Sequence, residues 1–198
     1  MKYLLTTTLI CCALLSQPTL ADTGDWLVRV GANYVDPKSD NHSIVEVQGN
    51  AMVTFNATYF VTPNWAVELL AALPFEHDID LVSGPQVAKT KHLPPTLSAQ
   101  YHFMPDAAVR PYIGAGINYT LFFEESTRGA LDGSSLELED SVGLAAQLGV
   151  DIDLADRWFL NASVRWMDID TRAKLDGVSL GDVEIDPWTY GINLGYRL

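Results

Sequence analysis

Side chains able to do chemistry are few in this chain of 198 residues, and they are poorly grouped. Its two cysteines, Cys11 and Cys12, are adjacent, which excludes a disulfide framework or a zinc site. His42, His77, His92 and His102 are too scattered along the sequence to read as metal ligands. His42 beside Ser43 and His77 beside Asp78 supply the residue types of a hydrolytic nucleophile and base. Adjacent residues on a strand face opposite ways, so neither pair is a ready dyad and no enzyme is expected. Asp78-Ile79-Asp80 and Glu137-Leu138-Glu139-Asp140 lack the regular spacing of oxygens that a calcium loop needs. Neither a metal nor a cofactor is expected. The net charge of −13 argues against a nucleic-acid partner, because phosphate binding needs clustered Lys and Arg. What remains is Pro94-Pro95, which cannot complete a backbone ladder, and many large apolar side chains.

The elements that must position them begin with a leader. Lys2, the apolar stretch Leu4 to Leu15 and the small-residue end Thr19-Leu20-Ala21 read as an export signal. The stretch is too short for a spanning helix, which needs roughly 20 apolar residues. Cleavage after Ala21 leaves residues 22–198 without cysteine, as one domain.

The mature chain alternates with period two, segment after segment. Trp26, Val28, Val30, Ala32 and Tyr34 point away from Arg29, Gly31 and Asn33. The same pattern runs through 53–61, 65–73, 92–103, 113–121, 141–152, 158–166 and 188–198, making eight segments. Short connections at Thr62-Pro63-Asn64, Met104 to Ala108 and Ala155-Asp156-Arg157 alternate with long stretches near 36–50, 76–91, 123–139 and 170–186. This predicts an all-β, eight-stranded antiparallel up-and-down barrel with tight turns at one rim and long loops at the other.

A lipocalin-like barrel turns its apolar set inward, and a membrane barrel turns it outward. Two features favour the membrane. The less apolar face carries glycines with Asn, Gln, Ser and Thr, which suits a narrow lumen. Aromatics gather at the segment ends: Trp26, Trp65, Tyr101, Phe103, Trp158 and Tyr196 toward the short turns, and Tyr34, Phe75, Tyr119, Trp166 and Trp188 toward the long loops. The alternation runs to the last residue, Leu198, as a strand that must close on the first would.

Several stretches are familiar. His92-Leu93-Pro94-Pro95-Thr96-Leu97 with Gln100, the run Arg110 to Thr120, Val67 to Ala72, Met167-Asp168-Ile169-Asp170-Thr171, Asp186-Pro187-Trp188 and Gly195-Tyr196-Arg197 resemble the outer membrane protein W (OmpW) family, which includes the alkane-uptake (AlkL-like) porins. The resemblance implies an outer-membrane barrel of a Gram-negative bacterium that passes small apolar compounds passively.

Eight strands enclose a lumen largely filled by side chains, so a wide aqueous pore is not expected. The inward set mixes Leu27, Leu70, Tyr112, Phe159 and Met167 with Arg29, Glu68, Gln100, His102, Arg110, Arg165 and Arg197. Leu70 and the inward apolar residues Leu27, Phe159 and Met167 are the candidate solute path. Arg165 falls inward where some family members place a bulky apolar residue; its other role is to pair with Glu68 or Asp151. Pro94 and Pro95 mark a lateral exit into the membrane, or else lie above the hydrocarbon where water satisfies the opposite carbonyls. Apolar loop residues, among them Val45, Val47, Ile79, Leu131, Leu136 and Leu180, either line a funnel or pack against one another. Expected partners are outer-membrane lipids, lipopolysaccharide reached through divalent cations, and small hydrophobic solutes, with the barrel a monomer. The alternative is a structural or receptor barrel of stress adaptation with no dedicated substrate.

Overall fold

The computed structural model describes residues 23–38, 44–82 and 84–198, with the side chain of Phe75 left aside. The export signal, Cys11, Cys12, His42 and Ser43 lie outside the described residues. Fourteen strands follow in order: β1 (Trp26–Asp36), β2 (Val45–Val47), β3 (Asn50–Phe60), β4 (Trp65–Ala72), β5 (Phe75–Leu81), β6 (Gln86–Leu93), β7 (Thr96–His102), β8 (Val109–Thr127), β9 (Leu136–Leu138), β10 (Ser141–Ala155), β11 (Trp158–Met167), β12 (Asp170–Leu175), β13 (Val178–Glu184) and β14 (Trp188–Arg197).

Eight of these strands, β1, β3, β4, β7, β8, β10, β11 and β14, form a closed antiparallel barrel. It closes where β1 meets β14, in a register running from Leu27 opposite Arg197 to Asp36 opposite Trp188. Closure leaves no sheet edge in the membrane, where an unpaired N–H or C=O costs several kcal/mol. The expected alternation holds along the barrel strands: Val28, Val30, Leu69, Leu97, Ile117, Leu148 and Ile192 are exposed to the outside, while Arg29, Thr58, Glu68, Gln100, Asn118, Gln147 and Asn193 are buried inside. At the short-turn rim the aromatics sit in contact, Trp26 on Tyr59, Trp65 on Tyr101 and Trp158 on Tyr196, with ring centroids about 5 Å apart. Tyr34, Tyr119 and Trp188 ring the opposite end. Short turns face the periplasm in such barrels, so the second girdle faces outward from the cell.

Several glycines inside the barrel are there because backbones and side chains come too close for a Cβ. At Gly116 an added Cβ would collide with the carbonyl of Leu97 and the Cα of Ser98 on the neighbouring strand.

The structure differs from the sequence expectation above the outer girdle. The four long stretches contain strands rather than plain loops. β5 and β6 form a hairpin that pairs with β2 on one side and with the upper part of β8 on the other. β12, β13 and β9 form a separate three-stranded sheet. Asp176 and Gly177, with φ of 50° and 79°, turn the β12–β13 hairpin. These strands face water on one side, so their alternation is acidic against apolar, as in Glu76-His77-Asp78-Ile79-Asp80-Leu81.

Candidate functional site

The lumen is closed by a network of charges fed from five barrel strands. Glu68 on β4 accepts from Arg165 Nη2 at 2.6 Å, from Gln147 Nε2 at 3.2 Å and from Arg29 Nη1 at 3.2 Å. Asp151 on β10 accepts from Arg29 Nη2 at 2.8 Å and from Asn161 at 2.8 Å. Arg29 also donates to Thr58, and Arg165 to Gln147 Oε1 at 2.7 Å. Arg29 and Arg165 balance Glu68 and Asp151, so this group of four is neutral. Neutrality matters because an uncompensated charge out of water costs several kcal/mol. Arg165 thus pairs with Glu68, one of the two partners its inward position allowed, and Arg29 takes Asp151.

Below the network lies a small apolar cluster of Leu27, Phe60, Ala66 and Phe159. The Arg29 and Arg110 guanidinium carbons stand 5.5 and 5.9 Å from the Phe159 ring centroid. Arg110 is held by both oxygens of Asp153. Leu27 and Phe159 therefore occupy the periplasmic side of the charges.

Above the network the lining changes. Leu70 is the next inward residue above Glu68 on β4, and Met167 is the next above Arg165 on β11. Thr96 brings these two strands' contributions together: it stands opposite Leu70 in register, and its Oγ1 lies 3.8 Å from Met167 Sδ. Met167 belongs to an apolar cluster with Val47, Phe122, Ala145, Ile169, Ala173, Val183 and Ile185. Over it, the β2–β5–β6 and β9–β12–β13 strands enclose a cavity of about 60 Å³. Val47, Ile79, Val87, Phe122, Leu136 and Val183 are among its walls. Of the two readings of the apolar loop residues, packing against one another is what the structure shows, with this cavity among them.

Next to His92, one of the chamber's lining residues, one ladder of the wall gives way to another. The β4–β7 ladder ends at Leu70 opposite Thr96, and the β5–β6 ladder begins at Phe75 opposite His92. Among the described residues, no backbone hydrogen bond joins 71–74 to 93–95. Leu73 N–H donates instead to Val53, and the Pro95 carbonyl accepts from Tyr119, each on the far side. Pro94 is buried and Pro95 half-buried; the Pro94 carbonyl accepts from the Thr96 hydroxyl. Leu70, Pro94, Pro95 and Met167 thus lie above the charges, Arg165 lies among them, and Leu27 and Phe159 lie below.

Two groups resemble ligand sites. His77 and His92, far apart in sequence, stack with centroids 4.8 Å apart and an interplanar angle of 10°, beside the chamber. Burial lowers the pKa of both, and His77 lowers that of His92 further. The β5–β6 hairpin creates this pair, which no spacing in the sequence marks. Asp168, Asp170 and Asp186 have carboxylate oxygens within 4.8 Å of one another. Asp168 and Asp186 already accept backbone N–H bonds from Leu144 and Ile169, which gives them a structural use.

A closed eight-stranded sheet, apolar outside, girdled by aromatics and filled by a neutral polar network, is an outer-membrane β-barrel with a narrow, plugged lumen. The OmpW family model matches residues 22–198, and the chain belongs to that family. Outer membrane protein W of Escherichia coli strain K12 is 41% identical over all of both chains. Outer membrane protein AlkL of Ectopseudomonas oleovorans is 31% identical over 77% of this chain and 68% of its own. The crystal structure of OprG from Pseudomonas aeruginosa superposes with a TM-score of 0.80 at 36% identity, covering 89% of this chain and 97% of that one. The protein is an outer-membrane barrel, in contact with the lipid bilayer.

Proposed function

We propose that this barrel passes small hydrophobic molecules from outside the cell into the outer membrane, by a sideways route. The observation that carries the reading is one of level. An apolar chamber stands above a charged floor, and an unladdered stretch of wall runs between the two levels. Water and polar solutes gain nothing in an apolar chamber. An apolar solute gains roughly 25 cal/mol per Å² of its surface removed from water. The floor offers it no way down, since crossing would mean parting Glu68 from two arginines. The gap between 71–74 and 93–95, flanked by Leu70, Pro94 and Pro95, offers the way out toward lipid. The resemblance to alkane-uptake porins points the same way.

The test is uptake by cells lacking their own homologue, with and without this protein. A medium-chain alkane is compared with a hydrophilic solute of similar mass. Faster entry of the alkane alone is expected. The double variant P94A/P95A restores two backbone donors to the gap and is expected to slow alkane entry at equal amounts of folded barrel. Unchanged alkane entry in that variant would overturn the lateral route. Faster entry of the hydrophilic solute would mean an open axial lumen. No effect on either would leave the structural or receptor role.

A further inference from the structure

We infer that Arg165 receives the polar end of an amphiphilic solute, a hydrocarbon chain bearing one neutral acceptor oxygen such as a ketone carbonyl. Arg165 is only 6% exposed. Its Nη2 is engaged twice, by Glu68 Oε1 and Gln147 Oε1. Its Nη1 is buried as well and has no hydrogen-bond partner. A buried donor left without an acceptor costs free energy that a ligand oxygen can recover, and a charged donor makes the stronger bond.

Position makes such a ligand reachable. Met167, the next inward residue on the same strand, separates Arg165 from the apolar chamber. It is an unbranched thioether, able to change rotamer and let a slender chain pass. The carbon chain of the ligand then lies in the chamber or in the gap beside Leu70 and Thr96, while its oxygen meets Nη1.

Charge selects the class. Arg29 and Arg165 already balance Glu68 and Asp151, so a carboxylate would add an uncompensated negative charge. An ammonium group has no acceptor to offer, and guanidinium groups only donate. A bare alkane fills the chamber but leaves the Nη1 donor unmet. A neutral carbonyl oxygen satisfies the donor without disturbing the balance.

This inference rests on the reading that the chamber admits apolar solutes, and the test separates the two. The full barrel, with methyl-labelled methionine, is placed in lipid nanodiscs, and the Met167 signal is followed by NMR during addition of decane, 2-decanone or decanoate. Met167 is one of four methionines in the chain. All entering ligands shift its signal, and 2-decanone is expected to half-saturate at a concentration about tenfold lower than decane, with decanoate weaker than 2-decanone. In E68Q/R165M, which removes one charge of each sign, decane binding persists and the ketone's advantage disappears. Equal half-saturation by ketone and decane in the unaltered protein overturns this inference and leaves the chamber reading intact; the unsatisfied nitrogen then holds water only. No shift with any ligand overturns both. Should the double variant not fold, the comparison of the three ligands in the unaltered protein decides by itself.

Discussion

One carboxylate, Glu68, holds two arginines from different strands, and its position one inward step, two residues, below Leu70 makes it the centre of the lumen floor. Its replacement by Gln leaves Arg29 and Arg165 with Asp151 as the one remaining acid in the network. Removing one partner of a buried ion pair costs about 3 kcal/mol or more. E68Q should therefore lower the midpoint of urea unfolding in lipid vesicles by an amount corresponding to about that energy. E68Q/R165M should regain most of the loss, because Arg29 and Asp151 then form a complete pair. A cost of R165M that is the same in the E68Q background as in the unaltered protein would mean that the two residues are not coupled. The sequence showed that Arg165 and Glu68 both point inward, since inward pointing is a matter of period. Which acid pairs with which base depends on strand tilt and side-chain reach across the lumen, and adjacency in the ladder does not reveal it: Arg29 and Asp151 are 122 residues apart.

At the scale of elements, the β5–β6 hairpin carries the titratable feature of the outer half. His77 and His92 are buried against each other, and both pKa values lie below the ordinary histidine value of 6.5. A state in which the hairpin is open binds protons more readily than the closed one. Stability contributed by the neutral pair is thus present above that ordinary value and lost as pH falls below it. Amide protection in Gln86–Leu93, corrected for intrinsic exchange, should drop between about pH 7.5 and about pH 5, while that of β10 and β11 stays constant. Constant protection in the hairpin would sink the idea. Asp170, raised by burial and by Asp186 and Asp168, acts in the opposite sense. The hairpins themselves were only half legible. Asp176-Gly177 is a known turn signal, and Glu76 to Leu81 alternates cleanly. Neither matches the lipid-facing apolar pattern that marks the barrel strands, because these strands face water and carry acids there.

At the scale of the whole molecule, the barrel closes on itself through β1 and β14, and the β12–β13 hairpin belongs to a different sheet. Replacing residues 171–184 by a short glycine linker should leave the barrel able to fold, with the thermal transition of its β signal changed by only a few degrees. The same deletion removes Ala173 and Val183 from the chamber, so binding of an apolar fluorescent probe should fall several-fold. A barrel that no longer folds would show that the outer sheet is part of the closure. Retained probe binding would place the apolar site elsewhere.

Composition and period by themselves determined that this chain crosses a membrane with strands, closes with eight of them and turns its apolar set toward lipid. Those properties follow from local alternation and from the absence of water around the wall, and each residue reports them independently. The tertiary structure alone decided how the inward residues divide into a lower apolar cluster, a neutral charged floor and an upper apolar chamber. It also decided where the β4–β7 ladder ends, at Leu70 opposite Thr96, and where the β5–β6 ladder begins, at Phe75 opposite His92. These are relations between strands distant in sequence, set by register and closure, and no segment carries them alone.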